Sequence, residues 1–367
     1  MAYRERKQKY QAICDMRGHP LISYVTSIRP NLNANMAADS ITQIIDQINA
    51  IPKDVNSIDF LIISNGGDPI TALRIMSLLR ERFDRITVLL PYVAYSAATI
   101  LSLGADEIIM HPYSNLGPVD PQLTIAQNTD KGIRQNFQFS SEDLRNYIDF
   151  IRTDVGITDQ QHLVSAISPL LNDIGAISIG SAKRGQQLSL TLSEKMLGWH
   201  FADNTKAKAI AKALNSSYYH HGYAVGRKEA TSIGLPIVNP SEELESLLWD
   251  IWKDFESEMR CQEPFDVIKE IMQNPASNAT ISQAPIVNLP VNTPPQIAEQ
   301  IIIQHAQSTP VTTRSSLKQK VLIASIESIT AAKAVYNNID IIYWRNPDVS
   351  LGFNCNVFAS GWVDYEE

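Results

Sequence analysis

The residues best suited to chemistry lie in two short loops, each at the end of a predicted buried strand. Ser96 interrupts the most apolar run of the chain, "LLPYVAYSAATILSLGADEIIM", and is followed by two alanines. Gly66 and Gly67 follow the apolar run "SIDFLIIS". A glycine pair frees backbone N–H groups that can hold an oxyanion. A serine at a helix start lies where the helix dipole favours negative charge, and the N–H of Ala97 can complete the donor pair.

This combination predicts an acyl-transfer site, in which a serine attacks a carbonyl carbon beside two backbone donors. Each signal has a purely structural alternative. A serine among alanines at a helix start is more often an N-cap or a packing residue. A glycine pair is more often a simple turn. The nucleophile hypothesis therefore depends on the two loops lying side by side.

The strands and helices predicted around the two loops place these loops side by side. Continuous apolar runs of strand length alternate with segments whose apolar residues recur at helical spacing, which indicates βαβ units and a mostly parallel sheet. The carboxyl ends of neighbouring parallel strands meet at one edge of such a sheet, where ligands bind. The predicted strands are 21–27, 57–64, 85–90 and 106–111, and the clearest helices are 38–50, 72–83, 140–152, 181–197 and 241–259.

The chain is long enough for one large α/β domain and an appendage. We predict a domain at residues 1–260, a linker at 261–294 that contains a Pro/Asn/Ser/Gln-rich stretch, and a small α+β domain at 295–367. In this last region the pattern predicts helices at its start and around 316–334. Strands are predicted at 340–345 and 351–363. No residue pattern there indicates chemistry.

Composition excludes several classes of protein. The net charge of −8 argues against broad phosphate contacts, so we expect no nucleic-acid partner. The three cysteines are far apart, which fits a reducing cytoplasm, and no spacing indicates a metal site or a cofactor. The N-terminus lacks the apolar core of a signal peptide. The apolar run at residues 86–105 has the length of a membrane span, but its polar residues favour a buried core. We expect a cytoplasmic protein.

Three blocks of the sequence together resemble the serine dehydrogenase proteinase family of Clp-fold serine peptidases. They are "LIISNGGDPITALRIMSLLR", "VLLPYVAYSAATILSLGADEIIMHPYSNLGPVDPQL" and "GRKEATSIGLPI", and the resemblance covers about residues 18–258. It implies an α/β fold of the crotonase/Clp-like ββα superhelix type with a helical extension, and assembly as a homo-oligomer. It also implies that Ser96 is the nucleophile and that Gly66 or Gly67, together with Ala97, supplies the oxyanion hole.

The general base is not fixed by this resemblance. The Clp proteolytic subunit carries a histidine in the loop that corresponds to "SNLGPVDPQ", and this chain has none there. The signal peptide peptidase branch uses a lysine instead, and Lys183 in "IGSAKRG" resembles the setting of that lysine. A buried lysine can act as a base when its pKa is lowered. We predict Lys183 as the base, with His111, Lys131 and His221 as further candidates.

The sequence thus predicts a cytoplasmic serine endopeptidase that hydrolyses peptide or protein substrates through an acyl-enzyme on Ser96. Two alternatives stay open. The same fold serves acyl-CoA enzymes, in which glycine N–H groups polarise a thioester without a serine nucleophile. The second alternative is that the chain is a non-catalytic oligomeric scaffold. In that case the C-terminal region is the natural place for a protein partner to bind.

Overall fold

The computed structural model describes residues 3–128, 134–216, 218, 222–281, 287–308, 314–346 and 350–365. The strands are β1 (Leu21–Thr26), β2 (Ser57–Ile63), β3 (Arg85–Leu90), β4 (Val93–Ala94), β5 (Glu107–Met110), β6 (Asn115–Leu116), β7 (Gln122–Asn128), β8 (Arg134–Ser140), β9 (Val225–Gly226), β10 (Ile237–Val238), β11 (Ser315–Glu327), β12 (Ala332–Arg345) and β13 (Leu351–Asp364). The helices are α1 (Tyr3–Arg17), α2 (Ser40–Asn49), α3 (Pro69–Arg82), α4 (Ala97–Ser102), α5 (Ser141–Thr153), α6 (Gln160–Ile174), α7 (Ala176–Leu197), α8 (Asn204–Ser216), α9 (Arg227–Ser232), α10 (Glu242–Glu258), α11 (Val267–Gln273), α12 (Pro275–Ile281) and α13 (Pro295–Ser308).

The main sheet has eight strands in the described residues, in the order β10-β5-β3-β2-β1-β11-β12-β13. Strands β1, β2, β3, β5 and β10 run parallel, as the alternation of strands and helices predicts. In β1, β2, β3 and β5 the residues are buried on both faces apart from the first residue of some strands, which is why these strands read as continuous apolar runs. The α/β fold is confirmed, with a parallel part formed by these five strands and an antiparallel part formed by β11, β12 and β13.

Helices cover both faces of the sheet. On one face pack α2, α3, α4, α7 and α8. The predicted periodicity of α2 is borne out there, because Ile41, Ile44 and Ile48 are buried against the sheet. On the other face pack α1 and α10, with Leu248 and Phe255 fully buried. These two layers fix the positions of the strand ends that carry the candidate site.

A second, three-stranded sheet lies beside the carboxyl end of the main sheet. Strand β6 pairs with β4 in parallel and with β9 in antiparallel orientation. The short strand β4 is also tied to the end of β2, because Ser64 and Ala94 form a parallel bridge. The loops after β2 and β4 are therefore neighbours, as the strand order predicts.

The C-terminal segment differs from its prediction at one element. The helix predicted around 316–334 is wrong, because β11 occupies Ser315–Glu327. Leucine, lysine and glutamine in this segment favour a helix in isolation. Here β11 pairs with β1 on one side and β12 on the other, and this pairing overrides the local preference. The other predicted elements of the region correspond to α13, β12 and β13.

The predicted linker contains α11 and α12 in its described part. Because β11 pairs with β1, the region from residue 295 adds strands to the main sheet. The division into domains at residues 260 and 295 stays a prediction.

Helices α5, α6 and α7, with the β7–β8 hairpin, form an extension that packs around its own small core of Phe139, Leu144, Ile174 and Ala182. In the described residues no single helix has the length and apolar composition to cross a membrane. Helices α6 and α7 meet that criterion only when taken as a pair, and they are bent by 90° at the break between them.

A buried arginine joins three distant parts of the chain. The guanidinium of Arg6 in α1 donates to both oxygens of Glu327 in β11, at 2.9 and 2.7 Å, and to Asp254 in α10 at 3.0 Å. Glu258 lies 2.5 Å from the same guanidinium, and the hydroxyl of Tyr10 donates to Glu327 at 2.8 Å. Because Arg6, Asp254 and Glu327 are fully shielded from solvent, the carboxylates depend on this one cation.

Replacing Arg6 with leucine should lower the free energy of unfolding by about 3–5 kcal/mol, because buried carboxylates are then left without their partner. Urea unfolding followed by circular dichroism measures the change. Arg4→Leu is the matched control, since Arg4 is exposed on the same helix and should change stability by less than about 0.5 kcal/mol. Equal losses in the two variants would contradict the assigned role of the buried network.

Candidate active site

Ser96 lies at a strained corner between β4 and α4. Its backbone has φ 52° and ψ −117°, a conformation that is costly for any residue with a Cβ. It occupies the N-cap position of α4, yet its side chain makes no capping hydrogen bond. The side chain is half-buried, so it is neither a packing residue nor a cap. The corner holds the Ser96 hydroxyl away from the helix backbone.

Buried hydrogen bonds fix this corner from both sides. The Thr99 hydroxyl in α4 lies 2.7 Å from the carbonyl of Ala94 and 2.9 Å from that of Gly117, and it accepts from the Gly117 N–H at 3.2 Å. Gly117 has to be a glycine, because a Cβ there would lie 2.4 Å from the ring of Tyr95. The residue before Ser96 is thus clamped between β4 and the segment after β6.

Gly66 lies directly against the corner, while Gly67 lies against the backbone of Met36. A Cβ on Gly66 would be 2.5 Å from the Tyr95 carbonyl oxygen and 2.9 Å from the Ala97 nitrogen. Both glycines have positive φ, 98° for Gly66 and 144° for Gly67. A side chain would be strained at either position and would also collide with its neighbours. The close approach of two backbones therefore requires these glycines.

The three predicted oxyanion donors differ in whether their N–H group already has an acceptor. The Gly66 N–H donates to the Ser64 hydroxyl at 3.0 Å, so it is already committed. The Met36 N–H donates to the Gly66 carbonyl at 2.7 Å, and the Met36 carbonyl accepts from the Asp68 N–H at 2.9 Å. The N–H of Gly67, which lies between these two bonds, therefore points away from Met36. Within the described ranges, neither the Gly67 N–H nor the Ala97 N–H has an acceptor. Of the three predicted donors, the N–H groups of Gly67 and Ala97 are therefore the two without an acceptor in the described residues.

The structure reveals two buried hydroxyls beneath the glycine turn, those of Thr26 and Ser64, that sequence reasoning missed. Thr26 at the end of β1 donates to the Ser64 hydroxyl at 2.8 Å, and Ser64 in turn accepts from Gly66. Both hydroxyls are buried. The signal in the sequence is a polar residue that ends each of two apolar strands, "YVT" and "LIIS". This chain of bonds sets the shape of the glycine turn.

His111 lies in an aromatic cluster at the end of β5. Its ring stacks on Trp249 at 4.9 Å between centroids, and its Nδ1 accepts from the Tyr113 N–H at 3.2 Å. Burial lowers the pKa of its imidazole, with Arg227 acting in the same direction and Glu245 opposing it. These contacts hold the His111 ring within the aromatic cluster, and its assignment as a base stays a prediction. Within the described residues the structure gives His111 no contact with Ser96.

Lys183 is exposed on α7. Its Nζ donates to Gln186 Oε1 at 3.3 Å, and it lines a pocket between α5, α7 and α8. Among the residues that line this pocket, none is one of those around Ser96. The geometry gives no support to Lys183 as the base, and that assignment stays a prediction. The other two candidates, Lys131 and His221, lie outside the described residues.

Taken together, Ser96 has an unbonded hydroxyl in the described structure, and the loops that meet at this corner hold two backbone N–H groups with no acceptor of their own, those of Gly67 and Ala97. This is the arrangement that acyl transfer requires, because the attacking oxygen and the donors for the resulting oxyanion must lie beside one carbonyl. In the described part of the chain no group of three histidine, cysteine or acidic side chains converges as a metal site would.

Comparison with known families agrees with this geometry. Residues 30–173, which contain the glycine pair and Ser96, match the family of ClpP-like SDH-type serine proteinases. The resemblance inferred from the sequence is confirmed for this segment, and with it the Clp-like character of the α/β fold. The matched segment ends just before α7, so it does not include Lys183.

Related chains are found in Methanocaldococcus jannaschii. One uncharacterized protein of this organism is 28% identical over 209 residues, which are 56% of this chain and 62% of that protein. A second is 27% identical over 198 residues, 53% of this chain and 56% of that protein. The chain therefore spans about three fifths of the length of these relatives.

Solved structures give more distant likenesses. The membrane-bound stomatin-specific protease 1510-N has a TM-score of 0.34 at 14% identity, covering 66% of this chain and 85% of that one. A second structure of that protease, with a substrate peptide, has a TM-score of 0.35 at 13% identity over 62% and 78%. ClpP1 from Listeria monocytogenes has 0.33 at 11% identity over 64% and 98%.

Gly66→Ala should disrupt the site. The added Cβ meets the Tyr95 carbonyl oxygen, and the positive φ adds strain, so the free energy of unfolding should fall by about 2–5 kcal/mol. Gly156→Ala is the matched control: Gly156 has φ 80° but open space around its Cβ position, so only the strain of about 1–2 kcal/mol applies. Thermal and urea unfolding of both variants measure the difference. Equal effects would mean that the glycine turn and the Ser96 corner do not touch.

Proposed function

We propose that this protein is a serine endopeptidase that hydrolyses peptide bonds through an acyl-enzyme on Ser96. The observation that carries the proposal is the backbone of Ser96, held at φ 52° and ψ −117° with its hydroxyl left out of the helix cap. A strained, uncapped serine persists only where the surrounding structure enforces it, and such strain is concentrated at functional sites. The match of residues 30–173 to a serine proteinase family supports the same reaction.

In the proposed reaction the Ser96 hydroxyl attacks the carbonyl carbon of the scissile peptide bond and loses its proton to a general base. The carbonyl oxygen becomes an oxyanion and accepts hydrogen bonds from the N–H groups of Gly67 and Ala97. Collapse of this intermediate expels the amine, which takes up a proton, and leaves an acyl ester on Ser96. Water then attacks the ester by the same route and releases the acid.

The role of the other residues follows from this scheme. Gly66 lets the two loops approach, and Thr99 and Ser64 hold them in place. A substrate backbone can come close to Ser96 because Ala94, Ala97, Ala98 and the glycine pair near it are small. From the family resemblance we also propose that the protein acts as a homo-oligomer on peptide or protein substrates, and from its cysteine pattern and N-terminal sequence that it is cytoplasmic.

A fluorophosphonate probe tests the nucleophile. The probe should label the wild-type protein and should fail to label Ser96→Ala, because phosphonylation needs the activated hydroxyl. Ser102→Ala is the control from the same helix: the Ser102 hydroxyl is buried and donates to the Ala98 carbonyl at 2.8 Å, so its removal should leave labelling intact. Wild-type protein that is not labelled at any pH from 7 to 10 would speak for a non-catalytic scaffold.

The same probe tests the base. If Lys183 activates Ser96, Lys183→Ala should lose labelling by at least about a hundredfold in rate. Its melting temperature should stay unchanged, because the side chain is exposed. Lys195→Ala, an exposed lysine at the end of the same helix, serves as the control. Labelling of Lys183→Ala at the wild-type rate would reject Lys183 as the base and direct the search to Lys131 and His221.

A further inference from the structure

A pocket between α5, α7 and α8 collects positive charge. The cavity has a volume of about 290 Å³ and is lined by four cationic side chains, those of Arg145, Lys183, Lys208 and Lys212. Among the lining residues, Glu194 supplies the one carboxylate. The pocket thus has an excess of three positive charges in a chain whose net charge is −8. Such a concentration of one sign attracts anions.

The three lysines of the pocket form no ion pair within the described residues. Lys208 and Lys212 are four residues apart on α8, where like charges repel each other. Across the described residues neither of them forms an ion pair. Arg145 differs from the lysines, because it pairs with Glu142 at 3.4 Å and with Asp149 at 3.8 Å. A bound anion would relieve the repulsion between the two lysines on α8.

A buried amide in the same pocket points to a ligand with polar groups as well as charge. Asn215 lines the pocket and is 4% exposed. Its Nδ2 donates to the Ala211 carbonyl at 2.8 Å, while its Oδ1 has no hydrogen-bond partner in the described residues. An unpaired buried oxygen costs about 1–3 kcal/mol, and a ligand hydroxyl can supply the missing donor once the amide, whose oxygen is shielded in this structure, turns towards the pocket. Leu190 adds an apolar wall.

We propose that this pocket binds a phosphorylated sugar, either free or as part of a nucleotide. The phosphate would lie between the lysines of α8 and the cations of α5 and α7, and a sugar hydroxyl would donate to Asn215 Oδ1. The cavity is at the small end of ligand sites, which matches a sugar phosphate better than a dinucleotide. Nothing in this inference depends on Ser96 being a nucleophile.

The position of the pocket links it to the candidate active site. The Leu214 carbonyl at the end of α8 accepts from the Val119 N–H at 3.0 Å, and the Ser189 hydroxyl of α7 donates to the Val119 carbonyl. Val119 is two residues beyond Gly117, which packs on Tyr95 beside Ser96. A ligand that joins α7 and α8 would therefore brace the segment that supports the corner.

Isothermal titration calorimetry of the full chain with ribose 5-phosphate, ADP and inorganic phosphate, in about 150 mM salt, tests the proposal. Ribose 5-phosphate should bind saturably and more tightly than inorganic phosphate. Tighter binding of ADP would assign the pocket to a nucleotide, and weaker binding to a free sugar phosphate. No saturable binding of either ribose compound would overturn the proposal.

Two sets of variants locate the binding. The double variant Lys208→Gln with Lys212→Gln should lose affinity by about tenfold or more. Lys53→Gln with Lys318→Gln removes the same charge from exposed positions outside the pocket and should keep it. Asn215→Ala should weaken ribose 5-phosphate binding while leaving that of inorganic phosphate unchanged. Equal affinities in the two double variants would show that binding is a general effect of net charge, and would overturn the assignment.

Discussion

The candidate site depends on one steric constraint, the contact between the backbone of Gly66 and that of the Ser96 corner. The two approach so closely that a Cβ on Gly66 would lie 2.5 Å from the Tyr95 carbonyl oxygen and 2.9 Å from the Ser96 Cβ. Only a residue without a side chain permits this contact. Because the loops touch, the glycine turn and the Ser96 corner meet at the carboxyl end of the sheet.

The rest of the fold serves to hold these two loops against each other. Parallel strands β2 and β3 bring their carboxyl ends to one edge, and the bridge between Ser64 and Ala94 ties the loops together. Buried hydroxyls then complete the hydrogen bonding of backbone that belongs to neither helix nor strand, as buried polar groups require. The cost of the strained Ser96 backbone is offset by these contacts and by the apolar layers on both faces of the sheet.

The parallel strands and the meeting of the two loops could be predicted from the sequence, because the patterns that indicate them are local. Continuous apolar runs indicate buried parallel strands, and a serine and a glycine pair at their ends lie together once the strands are adjacent. The strand β11 could not be predicted in the same way. Its composition favours a helix, and only its pairing with β1 and β12, residues far away in the chain, makes it a strand.

The finer features of the site also depend on three-dimensional contacts. The sequence suggests three oxyanion donors. The structure shows that the Gly66 N–H is already bonded to the Ser64 hydroxyl, while those of Gly67 and Ala97 have no acceptor in the described residues. The role of Thr26 requires that β1 and β2 be neighbours. For Lys183 the sequence setting predicts a base, while the direction of its side chain on α7 is decided by the packing of α5 and α8 around it.

The most direct measurement of the central claim is a crystal structure of the protein after reaction with a fluorophosphonate. The account predicts a phosphonyl group bonded to Ser96 Oγ, with its oxygen within about 3 Å of the N–H groups of both Gly67 and Ala97. A phosphonyl group on another residue would contradict the account. So would one on Ser96 whose oxygen points away from both donors.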